Sequence, residues 1–217
     1  MTYPLYVPQE QIIKDRADFA RRGAHRGRPA VVVSAADGVL LAARNASRAL
    51  HKLSEIYDKV AFAGVGKWSE FEALRVAGIR YADLRGYAYD RVDVSARGLA
   101  GAYAQTVAAA FTGDPKPLEV EVAVCQVGSD QVSDAVFHIS FDGTVSDELP
   151  WAVLGGAPVE AHQVLAEGWR SGLSLAEAGQ LVRRALAEPI RAEAAFEVAL
   201  LRRHQLGRAF QRLPELP

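Results

Sequence analysis

The sequence predicts an α+β fold: a four-layer αββα sandwich, with two antiparallel sheets face to face between helix pairs and an extra helix ahead of the first strand. Three observations carry this. Apolar patterns run in the order helix, four strands, two helices, four strands, two helices, two strands. Asp37-Gly38 and Asp142-Gly143 stand between short apolar runs, where Asp-Gly is a hairpin signal, so consecutive strands pair antiparallel. The helical stripes come in consecutive pairs, and each pair needs a sheet face to bury against.

Residues 1–7 have no periodicity, and Pro4 and Pro8 discourage both helix and central strand, so this stretch reads as an irregular arm with aromatic content. Pro8 suits a first helical turn. Ile12, Ile13, Ala17 and Ala20 then form an apolar stripe that stops at Arg21, Arg22 and Gly23, which sets the first helix at 8–23. That stripe buries in the chain's own core or against a neighbouring subunit. Ala30 to Ser34 and Val39 to Ala43 make the first hairpin; Arg48 to Leu53 and Val60 to Val65 make a second strand pair, with a turn at Asp58-Lys59. Ser69 is a candidate N-cap for a helix carrying Phe71, Leu74 and Ala77, with Glu70 and Glu72 in the first turn where the dipole favours acids. A second helix from about Ser95 puts Leu99, Tyr103, Val107 and Ala110 on one face. Pro115 and Pro117 end that unit, and Leu118 to Val124 alternates as a strand with one buried face. Strands follow at Ala135 to Phe141, Thr144 to Ser146 and Trp151 to Leu154. Val159 to Trp169 reads as a helix, and Ser174-Leu-Ala-Glu177 is a capping box that opens another. Phe196, Val198 and Leu200 alternate in a last strand whose partner falls at Arg208 to Arg212. The sandwich occupies 29–213.

No Pro, Gly or Ser-rich linker divides the 217 residues, which favours one domain over two. With 50% hydrophobic residues the chain can bury a sizeable core, and a net charge of −1 offers no field for nucleic acid or membrane lipid. A single cysteine, Cys125, excludes an internal disulfide framework and suits a reducing compartment. No apolar run approaches the ~20 residues that a bilayer requires, and Met1 to Pro8 has no leader pattern, so the expected location is the cytoplasm. His25, His51, His138, His162 and His204 are scattered without the paired spacing of a metal site, and no metal or cofactor is expected. Gly64-Val65-Gly66-Lys67 invites a phosphate-loop reading, but the pattern fails. Ala61 stands where its first Gly belongs, and Trp68 stands where Ser or Thr must follow the Lys. The plainer reading is a strand-to-helix turn that needs glycine for close packing.

Several local words recur together. They are Pro8-Gln-Glu-Gln, Ala20-Arg-Arg-Gly23, Asp37-Gly-Val-Leu40, Asn45-Ala-Ser-Arg48, Lys52-Leu-Ser-Glu-Ile-Tyr-Asp58, Ala63-Gly-Val-Gly-Lys67, Arg85-Gly-Tyr-Ala-Tyr-Asp-Arg91 and Gly155-Gly156. In these words and in the order of its elements the chain resembles the alpha subunits of the proteasome core particle, most closely the actinobacterial type. The matches span nearly the whole chain, and 45–91 carries most of them. The Tyr-Asp-Arg gate and Gly-Arg-Leu signature of archaeal and eukaryotic alpha subunits are absent from the first 20 residues, so those gate contacts do not transfer.

The resemblance implies the fold of N-terminal nucleophile hydrolases and a non-catalytic role within it. Such catalysis needs a Thr, Ser or Cys freed at the start of the first strand, where its own amine serves as base. Aligned with catalytic beta subunits, Arg28 falls at the Thr position, Pro29 follows it, and Arg44 falls at the Asp position. Alpha subunits of this type form a homo-heptameric outer ring on the beta rings, close the pore with their N-terminal arms and receive the tails of a proteasomal AAA ATPase ring. That ring delivers substrates tagged with prokaryotic ubiquitin-like protein. By resemblance, Lys52 is the lysine that pairs with the tail carboxylate and Gly66 the glycine lining the same pocket. The arm residues Thr2, Tyr3, Pro4, Leu5, Tyr6 and Val7 form the gate. Without the resemblance, Lys52 reads as an exposed strand lysine. The rivals are a free-standing hydrolase of the same fold and a small-molecule binding module using Gly64 to Lys67.

Overall fold

A computed structural model describes residues 8–47, 49–147, 149–156, 158–187 and 195–217. Helix α1 (Gln9–His25) precedes the hairpin β1 (Ala30–Ala35) and β2 (Gly38–Arg44), then β3 (Leu53–Tyr57) and β4 (Val60–Gly66). Helices α2 (Trp68–Ala88) and α3 (Ala96–Gly113) follow, separated by a 3-10 turn at Arg91–Asp93. The chain continues through β5 (Val120–Gln126), β6 (Ala135–Ile139), β7 (Val145–Ser146) and β8 (Trp151–Leu154), then α4 (Pro158–Gly168), α5 (Leu175–Ala185), β9 (Phe196–Arg202) and β10 (Phe210–Leu213). The order of elements is the predicted one.

The strands form two five-stranded sheets, β10-β9-β2-β1-β8 and β3-β4-β5-β6-β7, with every paired neighbour antiparallel. Period-two alternation splits each strand between two apolar layers. From β1, Val32 enters the layer between the sheets while Val31 and Val33 face α4 and α5, where Leu165, Leu181 and Val182 meet them. From β5, Ala123 and Cys125 enter the middle layer while Val122 and Val124 pack beneath Phe71, Leu99 and Val107 of α2 and α3. This is the αββα order, each sheet buried on both faces.

Burial on both faces explains where the observed elements depart from the predicted ones. Strand β5 has one buried face by pattern, yet all of Val120 to Cys125 is buried, Glu121 included, because a sheet covers one side and helices the other. The strand expected at 48–53 begins only at Leu53. Among 49–52 the backbone bends, because Ser47 Oγ accepts from Ala49 N at 3.3 Å and Leu50 N at 3.0 Å, which diverts the chain from one sheet to the other. Arg48 itself lies outside the described residues. Helix α2 starts one position before Ser69, capped at Lys67 without a side-chain bond, and Glu70 instead accepts from Glu119 N at 2.7 Å. The predicted capping box is present in Ser174 with Glu177, and the helix expected from about Ser95 is capped there, Ser95 Oγ accepting from Gly98 N at 3.2 Å. Helix α1 continues past Gly23 to His25, and its stripe divides. Ala20, Gly23 and Ala24 are buried, whereas Ile12 and Ile13 are 46% and 57% exposed. Strand β6 stops at Ile139, short of the predicted Phe141, and β7 is only two residues long.

Candidate functional site

Lys52 sits at the end of the irregular crossing between the sheets, yet its backbone is bonded on both sides. Its N–H donates to Glu197 Oε2 at 2.9 Å, its carbonyl accepts from Gly64 N at 3.0 Å, and the next N–H, of Leu53, donates to Glu197 Oε1 at 3.2 Å. The side chain turns to the link between α1 and β1, where Nζ donates to the Arg28 carbonyl at 2.5 Å. Gly66, two positions beyond Gly64, has φ +99°, and a Cβ there would lie 2.0 Å from the Glu119 carbonyl oxygen, so the position admits only glycine. It also abuts the α1–β1 link: a Cβ on Gly27 would lie 2.7 Å from Gly66 N. The two predicted pocket residues thus converge on residues 26–29, Lys52 through Arg28 and Gly66 through Gly27. The six predicted gate residues, Thr2, Tyr3, Pro4, Leu5, Tyr6 and Val7, lie outside the described residues.

Glu197, on β9, is the residue that the sequence does not single out. Beside the Lys52 and Leu53 amides, its carboxylate accepts from Asn45 Nδ2 at 2.8 Å and Arg212 Nη1 at 2.9 Å, with His51 Nδ1 at 3.2 Å. Burial pushes its pKa up, but the Lys52 N–H, Asn45, Arg212 and the Leu53 N–H outweigh burial and hold it below the ordinary carboxylate value. In sequence it is a polar residue in an alternating strand, which reads as a solvent-facing position.

The structure also groups histidines that the sequence leaves scattered. Buried Glu121 lies 3.2 Å from His25 Nε2 at the end of α1, accepts from Gly155 N at 3.0 Å, and has His138 Nε2 at 3.8 Å. Burial raises the Glu121 pKa, yet His138, the Gly155 N–H and His25 together bring it below the ordinary value. This cluster ties the end of α1 into the cleft between the sheets. Among the described residues no group of His, Cys, Asp and Glu has the arrangement to hold a metal ion.

Neither a phosphate cradle nor a nucleophile stands at the other candidate positions. Gly64 lies inside β4, where a Cβ would press on the Phe71 and Phe62 rings within 3 Å, so its role is close packing. Lys67 pairs with Glu70 at 3.2 Å. Arg28 and Pro29 precede β1. Arg44, at the end of β2, donates through Nε to the Leu186 carbonyl at 3.0 Å and lies 4.0 Å from the centre of the Phe196 ring.

Comparison with known proteins agrees with this arrangement. The family model described as "Proteasome subunit" matches residues 24–198. A "Proteasome subunit alpha" of Kineococcus radiotolerans is 51% identical over 98% of this chain and 94% of its own length. Proteins of the same name from Sanguibacter keddieii and Thermomonospora curvata are each 52% identical, covering 98% and 99% of this chain and 86% and 95% of their own. With the sandwich in place, the family model matched from the end of α1 into β9 and half the residues shared along nearly the whole length, the chain belongs to the proteasome subunit family, among its actinobacterial alpha-type members.

Proposed function

We propose that the chain is one alpha-type domain that works as the non-catalytic alpha subunit of a cytoplasmic proteasome core. In this reading it forms the homo-heptameric outer ring on beta subunits, gates the entry of protein substrates and docks an AAA ATPase ring through the Lys52 pocket. Substrates tagged with prokaryotic ubiquitin-like protein reach it through that ATPase. The observation that carries the reading is the convergence of Lys52 and Gly66 on residues 26–29, the link that leads back through α1 toward the arm. The Lys52 ammonium donates to the Arg28 carbonyl, and a tail carboxylate is a compact anion suited to capture by the same group. Exposed apolar side chains support assembly: Tyr87 near the end of α2 and Val92 in the 3-10 turn are 92% and 83% exposed, and Ile12, Ile13 and Phe19 line α1. Arg28 and Arg44, at the positions of nucleophile and acid, support a subunit without peptidase chemistry of its own. The test is binding of a short ATPase tail peptide, with its C-terminal carboxylate free or amidated, to assembled particles. Lys52→Ala loses a charge-assisted contact of about 2 kcal/mol and binds the free acid roughly thirtyfold more weakly. Equal affinity in wild type and variant removes the pocket from this account.

A further inference from the structure

We infer that Glu197 is the positioning residue for Lys52: its carboxylate reaches from β9 of one sheet, grips the backbone of Lys52 in the crossing to the other, and so aims the ammonium. The inference rests on the reading of Lys52 as the lysine that receives a tail carboxylate. Residues 49–52 form neither helix nor strand, and from the β3–β4 ladder Lys52 keeps the bond from Gly64 N to its carbonyl. Its backbone is nevertheless fixed by three bonds, two of which end on Glu197, one on each carboxylate oxygen. The same carboxylate takes the Asn45 amide, which also donates to the Leu50 carbonyl at 2.7 Å and so steadies the start of the crossing. Arg212 closes the other side, with Nη1 on Glu197 and Nη2 on the Leu53 carbonyl at 2.9 Å. A lysine held in this way loses less freedom when it captures an anion, which is where a positioning residue acts on affinity.

Glutamine cannot replace this carboxylate. One of its terminal atoms becomes an NH₂ facing either the Lys52 N–H and Asn45 or the Leu53 N–H and Arg212, so donors oppose donors. An effect of Glu197→Gln on positioning passes through Lys52, and a cycle with Lys52→Ala reads that route. Assembled particles carrying Glu197→Gln, Lys52→Ala or both are titrated with the fluorescent tail peptide as free acid and as amide. Glu197→Gln is expected to weaken the free acid about fivefold, the ordering cost of one long side chain, to leave the amide unchanged and to add nothing in the Lys52→Ala background. If Glu197→Gln particles bind the free acid as wild type does, while wild type still prefers acid to amide, the positioning role is wrong and the pocket stands. Equal weakening of acid and amide, or equal weakening with and without Lys52, makes Glu197 a merely structural residue and overturns the inference. If wild type binds acid and amide alike, the pocket reading fails and takes the inference with it. Should Glu197→Gln fail to assemble, Asn45→Ala keeps the carboxylate and loosens the crossing. An acid-specific loss of about threefold through Lys52 is then expected, and none overturns the inference.

Discussion

Five polar groups surround the Glu197 carboxylate, and their pH consequence follows from the direction of its shift. A carboxylate whose pKa is lower folded than unfolded contributes stability that is fully present above its unfolded value and is lost as pH falls through the folded one. For Glu197 that window opens near its ordinary value of 4.5 and extends downward. Glu121 and Glu70 are shifted in the same direction and contribute to the same acid limb, so the informative quantity is a difference between variants. Glu197→Gln is expected to unfold at neutral pH with a lower free energy than wild type, by about 1–3 kcal/mol, and with a shallower loss below pH ~4.5. Denaturant unfolding repeated across pH measures both; parallel acid limbs in the two proteins exclude the shift as a source of stability. Both glutamates, the buried Glu121 and the half-buried Glu197, sit in alternating strands where pattern assigns them to solvent. The pattern records polarity but not which side of a sheet is covered.

Helix α1 is one element held by two different means. Its C-terminal half buries Ala20, Gly23 and Ala24 and ends in the His25 contact with Glu121. Its N-terminal half is held at Arg16, which donates to the carbonyls of Phe111 at 2.8 Å, Ala110 at 3.2 Å and Asp114 at 2.7 Å. Those carbonyls belong to the last turn of α3 and its cap, where the dipole favours a cation; that of Ala110 also accepts from Asp114 N. Arg16→Met keeps the stem and removes the donors, at an expected cost of about 2 kcal/mol. Hydrogen exchange is expected to quicken at the first turns of α1 while Ala20 to His25 stay protected; a uniform rise along the helix would mean it docks as one unit. The sequence shows the helix and its stripe. It does not show that the stripe parts company with the body near Arg16, because that depends on where α3 ends, about ninety-five positions away.

At the scale of the molecule, α1 begins at Gln9, and the arm ahead of it carries Tyr3, Leu5 and Tyr6 together with Pro4 and Pro8. If extended at ~3.1 Å per residue, residues 2–7 would span about 20 Å, which under the proposed function is long enough for arms from several subunits to meet over a central pore. Apolar and stacking contacts of about 1 kcal/mol each would close such a gate and still let it reopen. Deleting residues 2–7 is expected to raise hydrolysis of a small fluorogenic peptide by the assembled particle several-fold, with the beta sites unchanged. Equal rates for truncated and intact particles would remove the gate.

The sequence alone determined the order of the elements, the antiparallel pairing through Asp37-Gly38 and the capping box at Ser174, because hairpins, caps and amphipathic periods are set by residues a few positions apart. It also carried the family, since the words from Asn45 to Arg91 are themselves local. What surrounds Lys52 was decided only by tertiary structure. Glu197 meets the Lys52 amide across 145 positions and Arg28 meets its ammonium across 24, whereas Gly64 reaches its carbonyl through the local register of the β3–β4 hairpin. A polar residue in an alternating strand looks the same on paper whether water or a second sheet lies beyond it. Only the packing of sheet on sheet removes the water and makes each buried carboxylate find its donors.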